Sequence, residues 1–233
     1  MKEMHIAILG GFGSGKTTFV NALLGKSVFP CNTMRNEWMT QMRHSSTEYV
    51  RAIYADGSEK TFTLDDFFEY KQHRRNTDEC ITRCTYYLNM PALKGLCITV
   101  LNGDLSGEHY LRFLQEVLPF CDYVVYTTNT TMPYTYTDKD ILTALNNYGF
   151  RNIIFACTFW EQVALDGEDI MMKAKKYILD NFLQYTDLGE QAVHFISARD
   201  GLGAQAKGDA AGYEASGCAD FERYLTERYI ELC

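Results

Sequence analysis

The sequence predicts an α/β protein in three layers, a mostly parallel central sheet with helices on both faces. Three observations predict it. Short β-branched runs alternate with longer amphipathic stretches, the strand–helix–strand order that crossover connections produce. The chain has 233 residues, which suits a single domain over 1–233 and buries roughly 70–75% of the unfolded surface. The first apolar run, "MHIAILG", leads straight into a glycine-rich loop and then a helical pattern.

Strands are expected over 4–9, 49–55, 60–64, 81–88, 96–101, 123–128, 152–158 and 192–196. Helices are expected over 16–24, 65–74, 108–118, 137–147, 168–183 and 219–232. Their boundaries have local causes. "ADGS" at 55–58 carries an Asp-Gly pair that accepts positive φ and should close a hairpin. Thr63, with Asp66 three residues on, resembles a capping box for the helix that follows. Thr137 is placed to cap the helix after "PYTYT", with Asp138 and Asp140 in its first turn. Over 168–183, Ile170, Met171, Ala174, Tyr177, Ile178 and Leu179 should form one apolar stripe, leaving Lys173, Lys175 and Lys176 in water. The Gly/Ala-rich stretch 199–218 reads as irregular chain, and no second domain is visible.

Composition narrows the function. With 46% hydrophobic and 22% charged residues the chain is globular rather than disordered. A formal charge of −8 argues against nucleic acid as a partner. The densest basic stretch, "KQHRR" at 71–75, reads as a solvated helix face. No leader or membrane-spanning run is expected. The eight cysteines include no C-x-x-C pair, so reduced thiols in a cytoplasmic protein are expected, and neither they nor the five histidines show metal-ligand spacing.

The most specific signal is Gly10-x-x-x-x-Gly15-Lys16-Thr17 between a strand and a helix, the phosphate-binding loop of a P-loop NTPase fold. Glycines let backbone N–H groups turn inward around phosphate oxygens, and the helix N-terminus adds partial positive charge. Gly10, Gly11, Phe12, Gly13, Ser14, Gly15, Lys16, Thr17 and Thr18 are therefore the candidate phosphate cradle. Lys16 should reach the β- and γ-phosphates and stabilise charge during catalysis, while the Thr17 hydroxyl binds Mg²⁺.

What continues from the loop, "GKTTFVNALLGKSVFP", resembles the G domain of dynamin-like large GTPases, particularly their bacterial branch. "YADGSEKTFTLDDFFEY", "ALKGLCITVLNGDLSGEH", "VLPFCDYVVYTTNTTMPYTYTDKDIL", "NIIFACTFWEQV", "VHFISARDGL" and "SGCADFERYL" follow in that family's order over nearly the whole chain. The resemblance implies GTP or GDP with Mg²⁺, a homodimer across the nucleotide face, and a terminal helix at about 219–233 leading into a neck absent from this sequence. Membrane contact would come only through missing regions or a partner chain, leaving the domain cytoplasmic or peripheral to a membrane.

Departures from the family pattern are equally informative. The switch-one threonine, counted from Phe29-Pro30, falls at Asn36 or Glu37; of Thr33 and Thr40, Thr33 is the better candidate because Thr40 reads as strand. The D-x-x-G motif is displaced to Asp104-Leu105-Ser106-Gly107, and Gly107 is the candidate γ-phosphate sensor. Either Asp104 swings back to the metal or the site lacks that carboxylate, with a turn residue beside Gly103 as the plainer reading of Asp104. In place of N-K-x-D stand Thr158, Phe159, Trp160 and Glu161. Glu161 keeps the carboxylate that pairs with guanine, Thr158 replaces an Asn hydrogen bond in part, and the Phe159 ring can stack. Ser197 and Ala198 would offer backbone N–H groups to guanine O6, followed by Arg199. Gly13 stands where the family places a polar residue that orients water and a compensating ion, which makes hydrolysis the doubtful step. The leading reading is slow Mg²⁺-dependent GTP hydrolysis. A pseudo-GTPase binding and assembly module is the second, and a P-loop small-molecule kinase, with Arg74-Arg75 or Arg83 on a lid, the third.

Overall fold

A computed structural model describes residues 3–29, 39–73, 81–101 and 108–233. Thr33, Asn36, Glu37, Arg74, Arg75, Asp104 and Gly107 lie outside the described residues. The strands are β1 (Met4–Leu9), β2 (Met39–His44), β3 (Tyr49–Tyr54), β4 (Glu59–Phe62), β5 (Ile81–Leu88), β6 (Leu96–Leu101), β7 (Tyr123–Asn129), β8 (Ile153–Thr158) and β9 (Val193–Phe195). They form one sheet in the order β4-β3-β5-β2-β6-β1-β7-β8-β9. From β6 through β1, β7 and β8 to β9 every pairing is parallel. β2 runs antiparallel to β6 but parallel to β5, and β3 is antiparallel to both β5 and β4. The sheet is thus mixed and mostly parallel, as an α/β chain with one hairpin insertion should be.

Helices are α1 (Lys16–Leu24), α2 (Leu64–His73), α3 (Glu108–Arg112), α4 (Tyr136–Asn147), α5 (Trp160–Ala164), α6 (Glu168–Phe182), α7 (Ala198–Lys207), α8 (Ala210–Ala215) and α9 (Cys218–Leu232). They cover both faces because β1 alternates: Ile6 and Ile8 join one core with Phe19 of α1 and Phe221 of α9, while Ala7 and Leu9 join a second with Leu142 and Phe182. Phe19 and Phe221 meet edge to face, their ring centroids 5.0 Å apart. Full burial of a side chain of this size stabilises by about 1.5–3 kcal/mol.

The hairpin expected at 55–58 forms: Gly57 has φ +83° and donates its N–H to Tyr54 O. Asp66 N–H donates to Thr63 Oγ1 at 3.1 Å, so that cap forms as well. Other expectations need correction. Residues 199–218 carry α7 and α8 rather than irregular chain, and 39–44 is a strand of the sheet centre. The cap of α4 is Thr135, not Thr137, in a reciprocal box with Asp138. In α6, Ile170 and Tyr177 are exposed and the buried positions are Ile178 and Phe182, because only its C-terminal half packs on the sheet. The stretch 108–118 is α-helical only to Arg112 and continues as a π-helical turn over Phe113–Val117.

Candidate functional site

The site starts where β1 ends. Gly10 has φ +149°, and a Cβ on it would lie 2.3 Å from both the carbonyl oxygen and the hydroxyl of Thr127. The loop therefore rests directly on the end of β7, an approach that only glycine permits. Gly13 and Gly15 are left-handed at φ +75° and +78°, and Gly15 is followed at once by α1. Lys16 Nζ curls over the loop, donating to Gly10 O at 2.6 Å and Gly11 O at 2.9 Å. Thr17 and Thr18, in the first turn of α1, are half-buried, and Phe12 projects from the tip, 95% exposed.

Threonines hold this loop from beneath. Ser14 is buried, and its hydroxyl lies 2.8 Å from Thr127 Oγ1, which in turn donates to Leu9 O at 2.9 Å. The Thr158 hydroxyl is shared between Ser14 O at 2.8 Å and Thr128 O at 3.0 Å. Thr130 Oγ1 donates to Thr158 O at 2.6 Å. Thr158 is almost wholly buried, so its side chain ties β8 to the phosphate loop. At the far end of α1, Asn21 Oδ1 accepts from the amides of Val28 and Phe29, and its Nδ2 donates to Phe29 O. Asn21 fixes the chain just before residue 30. Sequence reasoning missed Asn21, Thr127 and Thr130, although "TTNTT" at a strand end was a readable signal.

The residues expected at the base end come from two segments. Phe159 has φ +61° and caps α5, which turns its ring against Gly15: a Cβ there would be 3.2 Å from Phe159 Cε2. Glu161 follows in α5, its side chain only 14% exposed. Its Oε1 lies 3.8 Å from Arg199 of α7, while Oε2 is buried without a hydrogen-bond partner. Arg199 is largely exposed, so solvent screens that pair. Ser197 needs correcting as a donor to a base, because its N–H already donates to Ser216 O at 2.8 Å. The amide of Ala198 stands at the first position of α7, where a helix offers no internal acceptor.

A buried carboxylate oxygen with no partner costs free energy unless something donates to it. Glu161 supplies a carboxylate acceptor and Ala198 a helix-terminal amide donor, the group types that the N–H pair and the O6 of guanine would need. Oxygen donors such as the Thr17 hydroxyl suit Mg²⁺. Elsewhere, Glu3, His5 and Cys97 bring ligand atoms within 4.8 Å of one another at the opposite end of β1, a grouping the sequence spacing did not show. The Arg43 guanidinium is already 3.2 Å from Glu3, and burial pushes the Cys97 thiol up to about 11, so the charge there is balanced without a cation.

A glycine-rich loop at the end of β1 that runs into the N-terminus of α1 defines a P-loop domain. Residues 6–142, more than half of the chain, match the Dynamin family, and the chain belongs to that family. Such a G domain implies GTP binding. Two solved structures, each described as an oligomerised bacterial dynamin pair providing a mechanism for long-range sensing and tethering of membranes, share the fold with TM-scores of 0.68 and 0.69. Identity is 17% in both; the matches cover 96% and 97% of this chain but 37% and 34% of those chains. The chain thus spans about a third of the length of these structures. No curated protein matches it. Among the described residues no helix is long and apolar enough to cross a membrane.

Proposed function

We propose that this domain binds GTP with Mg²⁺ and hydrolyses it slowly. The observation that carries the base assignment is the Glu161 carboxylate in α5, just after Phe159, whose ring lies against Gly15 of the phosphate loop. Adenine presents no donor pair to a carboxylate, so the same site disfavours ATP. In the reaction the loop amides and Lys16 would hold the β- and γ-phosphates, and Lys16 would stabilise charge that grows as water attacks the γ-phosphate. Bound through Thr17, with Thr33 and Asp104 as the proposed further contributors, Mg²⁺ would neutralise phosphate charge.

Gly13 favours a low rate. A Cβ there would meet nothing within 4 Å, and the glycine supplies no side chain to orient water or an ion. The same observation supports a second reading, a binding and assembly module without turnover. In either reading a second copy pairs across the nucleotide face, where Phe12 is exposed. Membrane contact comes through other regions or a partner chain, and the domain itself is cytoplasmic or peripheral. The test is titration with fluorescent GTP and ATP analogues, with and without Mg²⁺, and phosphate release on the same sample. Guanine-selective binding with release abolished by Lys16→Ala supports hydrolysis. Binding without release supports the module, and equal affinity for GTP and ATP defeats the base assignment.

A further inference from the structure

We infer that Thr127 is a positioning residue for the phosphate loop, acting through Ser14; this rests on the nucleotide-binding reading above. Thr127 has one hydroxyl proton, and it goes to Leu9 O. In the 2.8 Å contact between the two hydroxyls, Ser14 must therefore be the donor. The relay Ser14 to Thr127 to Leu9 points one way and is fully buried. It ties the middle of the loop back to the last residue of β1, so that the loop closes on its own origin through β7.

Ser14 is gripped twice. Its side chain is held by Thr127, and its carbonyl oxygen by the Thr158 hydroxyl. With both ends fixed, the peptide planes on either side of Ser14 have little freedom. Those planes belong to the segment from Gly13 to Gly15 whose N–H groups must turn toward phosphate. The Ser14 hydroxyl is consequently not a phosphate ligand, and residue 14 contributes through its backbone.

Removing the Thr127 hydroxyl is the damaging change. Thr127→Val keeps the shape of the strand residue but leaves the Ser14 donor buried and unpaired and takes the donor away from Leu9 O. The loop can then relieve Ser14 only by leaving its binding conformation, and apparent affinity falls by the fraction that remains competent. The expected loss in nucleotide affinity is roughly 5- to 30-fold. Ser14→Ala cuts the tether but strands no donor and leaves Thr127 on Leu9, so affinity should fall by less than in Thr127→Val. Adding Ser14→Ala to Thr127→Val relieves the stranded donor and should recover part of the loss, and Thr127→Ser should bind as the parent does. The GTP-to-ATP ratio should not move in any variant, because the base end is untouched.

The experiment pairs those titrations with amide hydrogen exchange over residues 10–17 in nucleotide-free protein. Faster exchange confined to that segment in Thr127→Val, partly reversed by Ser14→Ala, supports the relay. Unchanged exchange, or Ser14→Ala losing as much affinity as Thr127→Val, overturns it. A parent protein that binds no nucleotide would sink the nucleotide reading instead, and the exchange arm would still decide whether Thr127 orders the loop.

Discussion

The proposed phosphate end and the proposed base end of the candidate site are built by opposite means. The phosphate end is backbone: glycines at positive φ, a helix N-terminus, and buried hydroxyls that lock peptide planes. The base end is side chain: a carboxylate with one unsatisfied oxygen and an aromatic ring laid on Gly15. Backbone geometry tolerates few spellings, so the first end reads plainly in the sequence. Side-chain recognition can be respelled with Thr, Phe and Glu as long as the donors and acceptors still face the ligand.

Substitutions that strike one end and spare the other should separate them. The largest effect is expected from Gly10→Ala, where the new Cβ would sit 2.3 Å from Thr127 backbone. Urea unfolding should show a loss of about 3 kcal/mol, and phosphate binding should fail with it. Next comes Glu161→Gln, which keeps one acceptor and loses the charge. GTP affinity should fall about 10- to 100-fold with ATP affinity unchanged, the value of hydrogen bonds to a charged group. If both nucleotides weaken equally in a competition titration, Glu161 is a structural residue and the contrast between the ends collapses.

Thr158→Val tests the join between them. Loss of its hydroxyl leaves Ser14 O and Thr128 O short of a donor, and thermal unfolding should report about 1–2 kcal/mol of destabilisation. The smallest effect lies away from both ends. His194 on β9 is buried among Phe221 and Tyr224, with Arg228 over the Tyr224 ring and Asp220 3.1 Å from Nδ1. Burial holds its pKa below the ordinary 6.5, and outweighs the pull of the largely exposed Asp220. The unfolded chain then binds the proton first, so stability is complete above pH 6.5 and declines as pH falls below it. His194→Gln should flatten that decline in urea titrations at a series of pH values, with nucleotide affinity unmoved.

Legibility followed physical cause. β1, β5, β6 and α1 match their expected bounds because each is an apolar or amphipathic run with a clear stop. Of β2 only Thr40 was read as strand, because "MTQMRH" buries Met39, Thr40 and Met42 without clean alternation. The helices within 198–215 were hidden by composition that looks like loop. A Cβ on Gly201 would lie 2.5 Å from Cys218 Sγ, so this glycine marks close packing of α7 against the start of α9. Small residues there permit contact between helices instead of signalling flexible chain. At the site, the full P-loop pattern was readable, whereas the engagement of Ser197 N–H by Ser216 depends on a contact between separate segments that local pattern does not encode.

The open space around Gly13 has a practical consequence. With no atom within 4 Å of a Cβ, the cost of a side chain there is the left-handed backbone alone. Asn tolerates that conformation, at about 1 kcal/mol or less. The position is therefore a socket where chemistry can be added to a loop that already holds its shape. Gly13→Asn should raise the rate of phosphate release above that of the parent protein, turning a subtractive question about turnover into a constructive one.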